Sequence, residues 1–388
     1  MPYLVWGSEL SPFTLKLQAQ LRYAGIPFVD LPRDGSRWQN YRANFVIERA
    51  KRRRTALRFP RLDDLDEYPL VPFLIGDGDR VLYDSSALAR WIDAQHRPPG
   101  GPLFPEAPAA AFVAQLIDEA FDEFGLYMVH HNRWVTSATT NDAGARLARE
   151  YRRVLPPGVQ GVMARYFSRR QVRRLPYLFS VAPPGFEIPG LSRTLTPPSP
   201  VGFPPTHALL DEAWATYVTA MESILGRQPC LLGERFTVAD ASAYGQLAMN
   251  LADPTAARRL RELAPTTFAW LQRIYGGDVP RQSGAIRLTP ELRPLLRIIE
   301  QTYVPLMQQN AAAFENARRA GETLFNEPAF DRGRNLYDGA LLSRPFRSVV
   351  KSFQVRSWRD LQQSWRQLTP SERDEVGRLM AVERIIAG

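Results

Sequence analysis

Apolar residues open the chain as a compact run, Tyr3 to Trp6, too short for a helix and suited to a buried strand. From Pro12 to Ala24 the spacing changes to one compatible with a helix, with Phe13, Leu15, Leu17, Leu21 and Tyr23 as its apolar positions. That helix opens at a Ser-Pro pair and closes at Gly25, which readily takes the left-handed conformation past a helix end. IPFVDL (26–31) reads as a second strand. VPFLI (71–75) and RVLYD (80–84) flank GDGD (76–79), and two short apolar runs around Asp-Gly predict a hairpin. A helix is predicted over 85–95, with Ala87, Leu88, Trp91 and Ile92 on one face.

HRPPGGP (96–102) then breaks the pattern as a linker would, and beyond it strand signals nearly vanish. A long amphipathic helix is predicted over 110–134, followed after a Pro- and Gly-rich stretch (183–205) by helices over 209–226, 240–252 and near 266–275. GGDVP (276–280) marks a second break, with helical segments near 290–319, 354–365 and 371–386. The order β-α-β, a variable stretch, then β-β-α is that of a thioredoxin-like α/β domain. Three parts are expected: 1–98, an all-helical 103–277 with an insertion near 135–205, and a helical extension over 278–388.

Composition narrows the chemistry. A chain of 388 residues is long enough for roughly two or three domains. The single cysteine, Cys230, excludes a CxxC redox pair, a multi-cysteine metal site and an internal disulfide. The net charge of +9 is carried by arginines interleaved with acids, as in REYRR (149–153) and ARRLREL (257–263). That is the look of a solvated surface, and with no nucleic-acid-binding signature no nucleic-acid partner is expected. His130 and His131 are adjacent and point about 100° apart on a helix, so no metal site is expected. The N-terminus lacks a secretion signal and no apolar stretch reaches about 18 residues, so a cytoplasmic protein without a membrane span is expected.

Two places could hold chemistry. Pro72 opens a strand without a ladder donor, and in this fold the reason is a cis bond after Val71 that turns the Val71 backbone toward a ligand groove. A plain strand-start proline is the other reading. At Asp84-Ser85 a strand runs into a helix, whose first amides and dipole suit a carboxylate. Ser85 would donate to that carboxylate and Asp84 would receive an ammonium, which together describe an α-amino-acid head group. The plainer reading is that either residue caps the helix.

GSELSPFTLKLQAQLRYAGIPF (7–28) and YPLVPFLIGDGDRVLYDSSALARWID (68–93) resemble the N-terminal domain of cytosolic glutathione transferases. The family's Ser-Pro, Val-Pro and Asp-Ser come in order. ERFTVADASAYGQLAMNL (234–251) is similar to the helix-six motif of its all-α C-terminal domain, in which Thr237 and Asp240 form a capping box and Phe236 a staple. The resemblance covers 3–98 with an insertion and roughly 206–275. It implies glutathione as co-substrate, bound at Val71, Pro72, Asp84 and Ser85, its thiol activated by one hydrogen bond to attack a small hydrophobic or aromatic electrophile. Ser11 stands where the Ser-Pro subfamilies have their catalytic serine, with Thr14 and Ser8 in reserve. A helix cap is the other reading of Ser11. The electrophile pocket falls to Phe13, Tyr127, His131 and Trp134, the last three at i, i+4 and i+7, a spacing that a core stripe also shows. Several arginines in IERAKRRRTALRFPRL (47–62) are available for the glycine carboxylate. A homodimer is compatible with the family, and a non-catalytic ligand-binding or interaction protein on the same scaffold is the alternative.

Overall fold

A computed structural model describes residues 2–53, 65, 70–156 and 158–381. Four short strands, β1 (Tyr3–Trp6), β2 (Phe28–Leu31), β3 (Phe73–Ile75) and β4 (Val81–Tyr83), lie in the order β2-β1-β3-β4. Helix α1 (Pro12–Tyr23) joins the parallel pair β1 and β2, while β3 runs antiparallel to both β1 and β4. This is the thioredoxin-like sheet that the hydrophobic runs predict. Gly25 follows α1 with φ +69°, and Gly78 turns the β3–β4 hairpin with φ +66°. The Val71–Pro72 bond is cis, and so is Leu31–Pro32. Helix α3 (Ser85–His96) starts two residues after β4.

The variable stretch contains a helix that the sequence pattern does not disclose, α2 (Arg37–Arg53). Asn40, Ala43, Ile47 and Ala50 form its buried face, the last three packing with Trp6 and Phe73. Trp38, Tyr41 and Phe45 are exposed on the other side. Aromatics on the wet face and an asparagine on the dry one blur the helical period. Residues 54–64 and 66–69, with half of the arginines considered for the glycine carboxylate, lie outside the described residues.

The helical part is built around one long helix, Pro108–Ala120 and Leu126–His131, each followed by a π-helical segment, Phe121–Gly125 and Asn132–Thr136. Helix Val238–Ala248 lies between it and α1. Gly245 makes that approach possible: a Cβ there would stand 2.6 Å from the Pro12 carbonyl oxygen and 2.8 Å from the Lys16 Cβ. The capping box forms, with Asp240 accepting from the Thr237 amide at 2.9 Å and from the Leu231 amide at 2.7 Å. The insertion supplies two helices, Ala143–Glu150 and Gln160–Arg173, which pack over Trp134 and Leu10. Cys230 is wholly buried, and burial pushes its thiol well up.

The extension is helical but carries one hairpin where no strand was expected, β5 (Leu336–Leu341) and β6 (Arg344–Val349). Its turn residues, Leu342 and Ser343, have φ +49° and +60°, a conformation usually signalled by Asn-Gly. Pro345 and Gly339 interrupt the alternation further. The helix predicted over 290–319 is two, Arg293–Gln301 and Tyr303–Arg319, broken at Thr302. Of the one predicted over 371–386, Pro370–Gly377 is helical and the residues after 381 lie outside those described. Helix Ser352–Gln367 packs along the long helix, with the Trp365 ring centroid 5.1 Å from that of Phe112. Among the described residues no helix is long and apolar enough to cross a membrane.

Candidate functional site

A cavity of about 830 Å³ lies where the sheet domain, the long helix, the insertion and helix Ser352–Gln367 meet. The loop before α1 brings Ser8 and Ser11 to it, and the first turn of α1 brings Phe13. Ser11 is the N-cap of α1 with extended backbone, Pro12 follows it, and its hydroxyl makes no capping bond. Ser8 is occupied differently, its hydroxyl oxygen accepting from the Leu10 amide at 3.1 Å. Thr14 is 1% exposed, receives the Ser8 amide at 3.4 Å and does not line the cavity. Of the three hydroxyls expected here, Ser11 is the one that is both on the cavity and unengaged among the described residues.

Across from it, Leu70, Val71 and Pro72 lead into β3, and Asp84, Ser85 and Ser86 lead out of β4. Asp84 caps α3 with φ +78°, a strained conformation for a residue with a side chain. One of its carboxylate oxygens accepts from the Ser86 and Ala87 amides at 3.1 and 3.0 Å, and the other meets Arg356 Nη2 at 3.3 Å. The capping reading of Asp84 therefore describes its present bonds, and Arg356, from the extension, stands where a ligand ammonium was expected. Ser85 is buried, and neither its amide nor its hydroxyl has a partner among the described residues.

Beneath these residues lies an ionic network that sequence reasoning missed. Lys16, 1% exposed, donates to Ser86 Oγ at 2.8 Å and pairs with Asp118 and Asp122 at 2.6 Å each. Burial draws the Lys16 ammonium down, but the two carboxylates outweigh it and hold it above its usual value. Asp118 is pushed up to about 6, because burial and the charge of Asp122 outweigh its ion pair. One turn along the helix face, burial pushes Glu123 up to about 7. Glu119 is driven well above the usual carboxylate range by burial and three acidic neighbours. The available signal was four acids, Asp118, Glu119, Asp122 and Glu123, inside an otherwise apolar helix. Among the described residues no His, Cys, Asp or Glu cluster is placed to hold a metal ion.

Phe13, Tyr127 and Trp134 line the cavity as expected of a pocket, but His131 does not. It packs on His207, ring centroids 4.8 Å apart, with Nδ1 3.2 Å from Ser180 Oγ. His130 faces the cavity instead, and burial pulls it down to about 3, so it is neutral. The reason is the π-helical segment Asn132–Thr136. A π-turn takes in about one residue more than the 3.6 of an α-turn, which swings Trp134 back into line with His130. Met163 and Phe167 from the insertion complete the apolar end. Lys351 from the extension reaches the middle, bonded to the Tyr127 hydroxyl.

Residues 6–100 match the family model for the glutathione S-transferase N-terminal domain. The sheet domain is thus of the glutathione S-transferase N-terminal type. None of the curated proteins compared matches it. Among solved structures, a glutathione S-transferase from Rhodospirillum rubrum F11 is 16% identical over 76% of this chain and 91% of its own, with a TM-score of 0.37. One from Ceriporiopsis subvermispora, in complex with glutathione, is 16% identical over 71% of this chain and 97% of its own, with a TM-score of 0.44. The beta-etherase LigF from Sphingobium sp. strain SYK-6 is 16% identical over 71% and 95%, with a TM-score of 0.40.

Proposed function

We propose that the protein is a glutathione-dependent transferase, setting the thiol of glutathione as co-substrate against a hydrophobic or aromatic electrophile. The observation that carries this reading is one unengaged hydroxyl: Ser11, at the N-terminus of α1, opens onto the cavity that also holds the unpartnered amide and hydroxyl of Ser85. In this reading Ser85 and the α3 terminus receive the head-group carboxylate. Asp84 takes the ammonium on the oxygen that meets Arg356, and Val71 and Pro72 flank the peptide. Ser11 donates to the sulfur. A free thiol ionises near pH 8.5, and a donor within the field of a helix N-terminus favours the thiolate. The electrophile then lies against Phe13, Tyr127, His130 and Trp134.

Calorimetry with reduced glutathione and S-hexylglutathione tests the reading. Binding of both is expected, with turnover when an electrophile is added. No binding of either overturns it. Binding without turnover of any aromatic halide or epoxide supports the second reading, a non-catalytic binding protein, which the engagement of Asp84 by Arg356 favours.

A further inference from the structure

Helix α2 has two faces of opposite character. Asn40, Ala43, Ile47 and Ala50 are buried toward the sheet. At 3.6 residues per turn, Trp38, Tyr41, Arg42, Phe45, Arg49 and Arg52 fall together on the opposite side, within a sector of about 100°. Trp38, Tyr41 and Phe45 are 75%, 54% and 66% exposed, whereas the other seven tryptophans of the chain are all buried. Arg49 and Arg52 are exposed with no ion-pair partner among the described residues. Arg42 meets Asp79 at 2.8 Å, in a pair whose two ends are both in water. Glu48 is the helix's one acid, and it pairs with Lys51 at 3.0 Å. The fold gains no packing from the three aromatics, and a contiguous exposed patch of this kind marks a surface made for contact.

We propose that α2 docks the protein on an anionic membrane surface, lying flat with Trp38, Tyr41 and Phe45 in the boundary between headgroups and acyl chains and Arg42, Arg49 and Arg52 on lipid phosphates. Trp and Tyr favour that boundary because an apolar ring and a polar tip meet both of its sides. A free interfacial helix turns its basic face to water and its apolar face to lipid. Here the far face is taken by the sheet, so rings and arginines share the lipid side, and the long arginine stems let the guanidinium groups reach back to the phosphates. From Trp38 to Arg52 the sector is a convex ridge about 20 Å long. A flat, fluid, negatively charged surface meets such a ridge along its whole length. A nucleic acid strand binds instead in a channel that tracks its backbone, which a convex ridge does not supply. Val71 and Tyr83, which line the cavity, pack on the cluster that holds Ala43, Ile47 and Ala50. Docking through α2 therefore sets that cavity wall about one helix diameter, roughly 10 Å, from the bilayer. The docking does not depend on the thiol-transfer reading.

The test floats the full chain on a density gradient with vesicles of phosphatidylcholine, or of phosphatidylcholine and phosphatidylglycerol in equal parts. Wild type is expected to rise with the anionic vesicles, far less with the neutral ones, and to let go as salt increases. Arg49→Gln with Arg52→Gln is expected to lower the partition coefficient on anionic vesicles about 25-fold, roughly fivefold for each basic residue at the surface. Trp38→Ser with Phe45→Ser is expected to lower it by about tenfold or more. These side chains are exposed, so the melting temperature should hold in both variants. Arg165→Gln with Arg169→Gln removes the same charge from the exposed side of the insertion helix Gln160–Arg173 and is expected to leave flotation within about twofold. Brominated lipid should quench part of the wild-type fluorescence and lose that effect in Trp38→Phe. A full chain that does not rise with anionic vesicles overturns the proposal. An equal loss in the insertion variant reduces the effect to net charge and overturns it as well. Binding of a thymidine oligonucleotide, or self-association, that Trp38→Ser with Phe45→Ser abolishes would give the ridge another occupant, with the same consequence.

Discussion

Ser11 and Pro12 stand at the first turn of α1 without the side-chain bond that a serine N-cap normally makes. Replacing Ser11 by Ala should therefore cost little stability, and its effect should appear in the chemistry. Conjugation is expected to fall about 10²-fold at neutral pH, with the pH–rate profile displaced to alkaline values. The affinity for S-hexylglutathione, which has no thiol proton to lose, should hardly move. A profile unchanged from wild type would take the role away from Ser11. Glu123 permits a separate test through stability. Its folded-state pKa of about 7 exceeds its ordinary value of 4.5. Unfolding therefore releases a proton between those values, and stability falls as pH rises through that window. Glu123→Gln should flatten this part of the pH dependence of the urea midpoint, and an unaltered slope would place the burden on another acid. That Val71, Asp84 and Ser85 would come together on one cavity could be read from the sequence because each sits at a strand or helix boundary, which the apolar runs mark. Lys351 could not, since it meets Tyr127 across 224 residues and no local pattern encodes that distance.

Among the elements, legibility follows how cleanly a pattern alternates. The four strands and α1 and α3 are short, apolar and bounded by Gly, Pro or Asp, so they can be placed within a residue or two. Helix α2 escapes notice because its exposed face carries Trp38, Tyr41 and Phe45. The shift from His131 to His130 escapes because a π-turn leaves no mark in a window searched at the α-helical period. The β5–β6 hairpin escapes because Leu342 and Ser343 occupy a left-handed turn without the residues that favour it. That last mismatch is testable. A side chain in the left-handed region costs roughly 1–2 kcal/mol, part of which glycine gives back through its freer unfolded state. Ser343→Gly should raise stability by about 0.5–1 kcal/mol, read as a higher Tm, and a lower Tm would mean the hydroxyl matters more than the backbone.

At the scale of the whole molecule, the sheet domain, the helical part and the extension share one continuous apolar core, from Val5 through Phe112 to Trp365 and Met380. Part of this need was readable beforehand, because the amphipathic helix expected over 110–134 must have its apolar side covered. Which segment covers it was not readable, since docking depends on shapes that only the folded chain displays. A shared core predicts a single cooperative transition in urea, with fluorescence and circular dichroism coinciding, and a 1–277 fragment that fails to fold alone. Two separated transitions would show the extension to be an independent unit. Cys230 offers a gauge of the same event. Its sulfur is sealed in that core and its thiol is held protonated by burial, so neither an electrophile nor a disulfide can reach it while the chain stays folded. For the experimenter the same sealed atom is a stopwatch: with excess coloured disulfide reagent, the rate of colour release is the rate at which the core comes open.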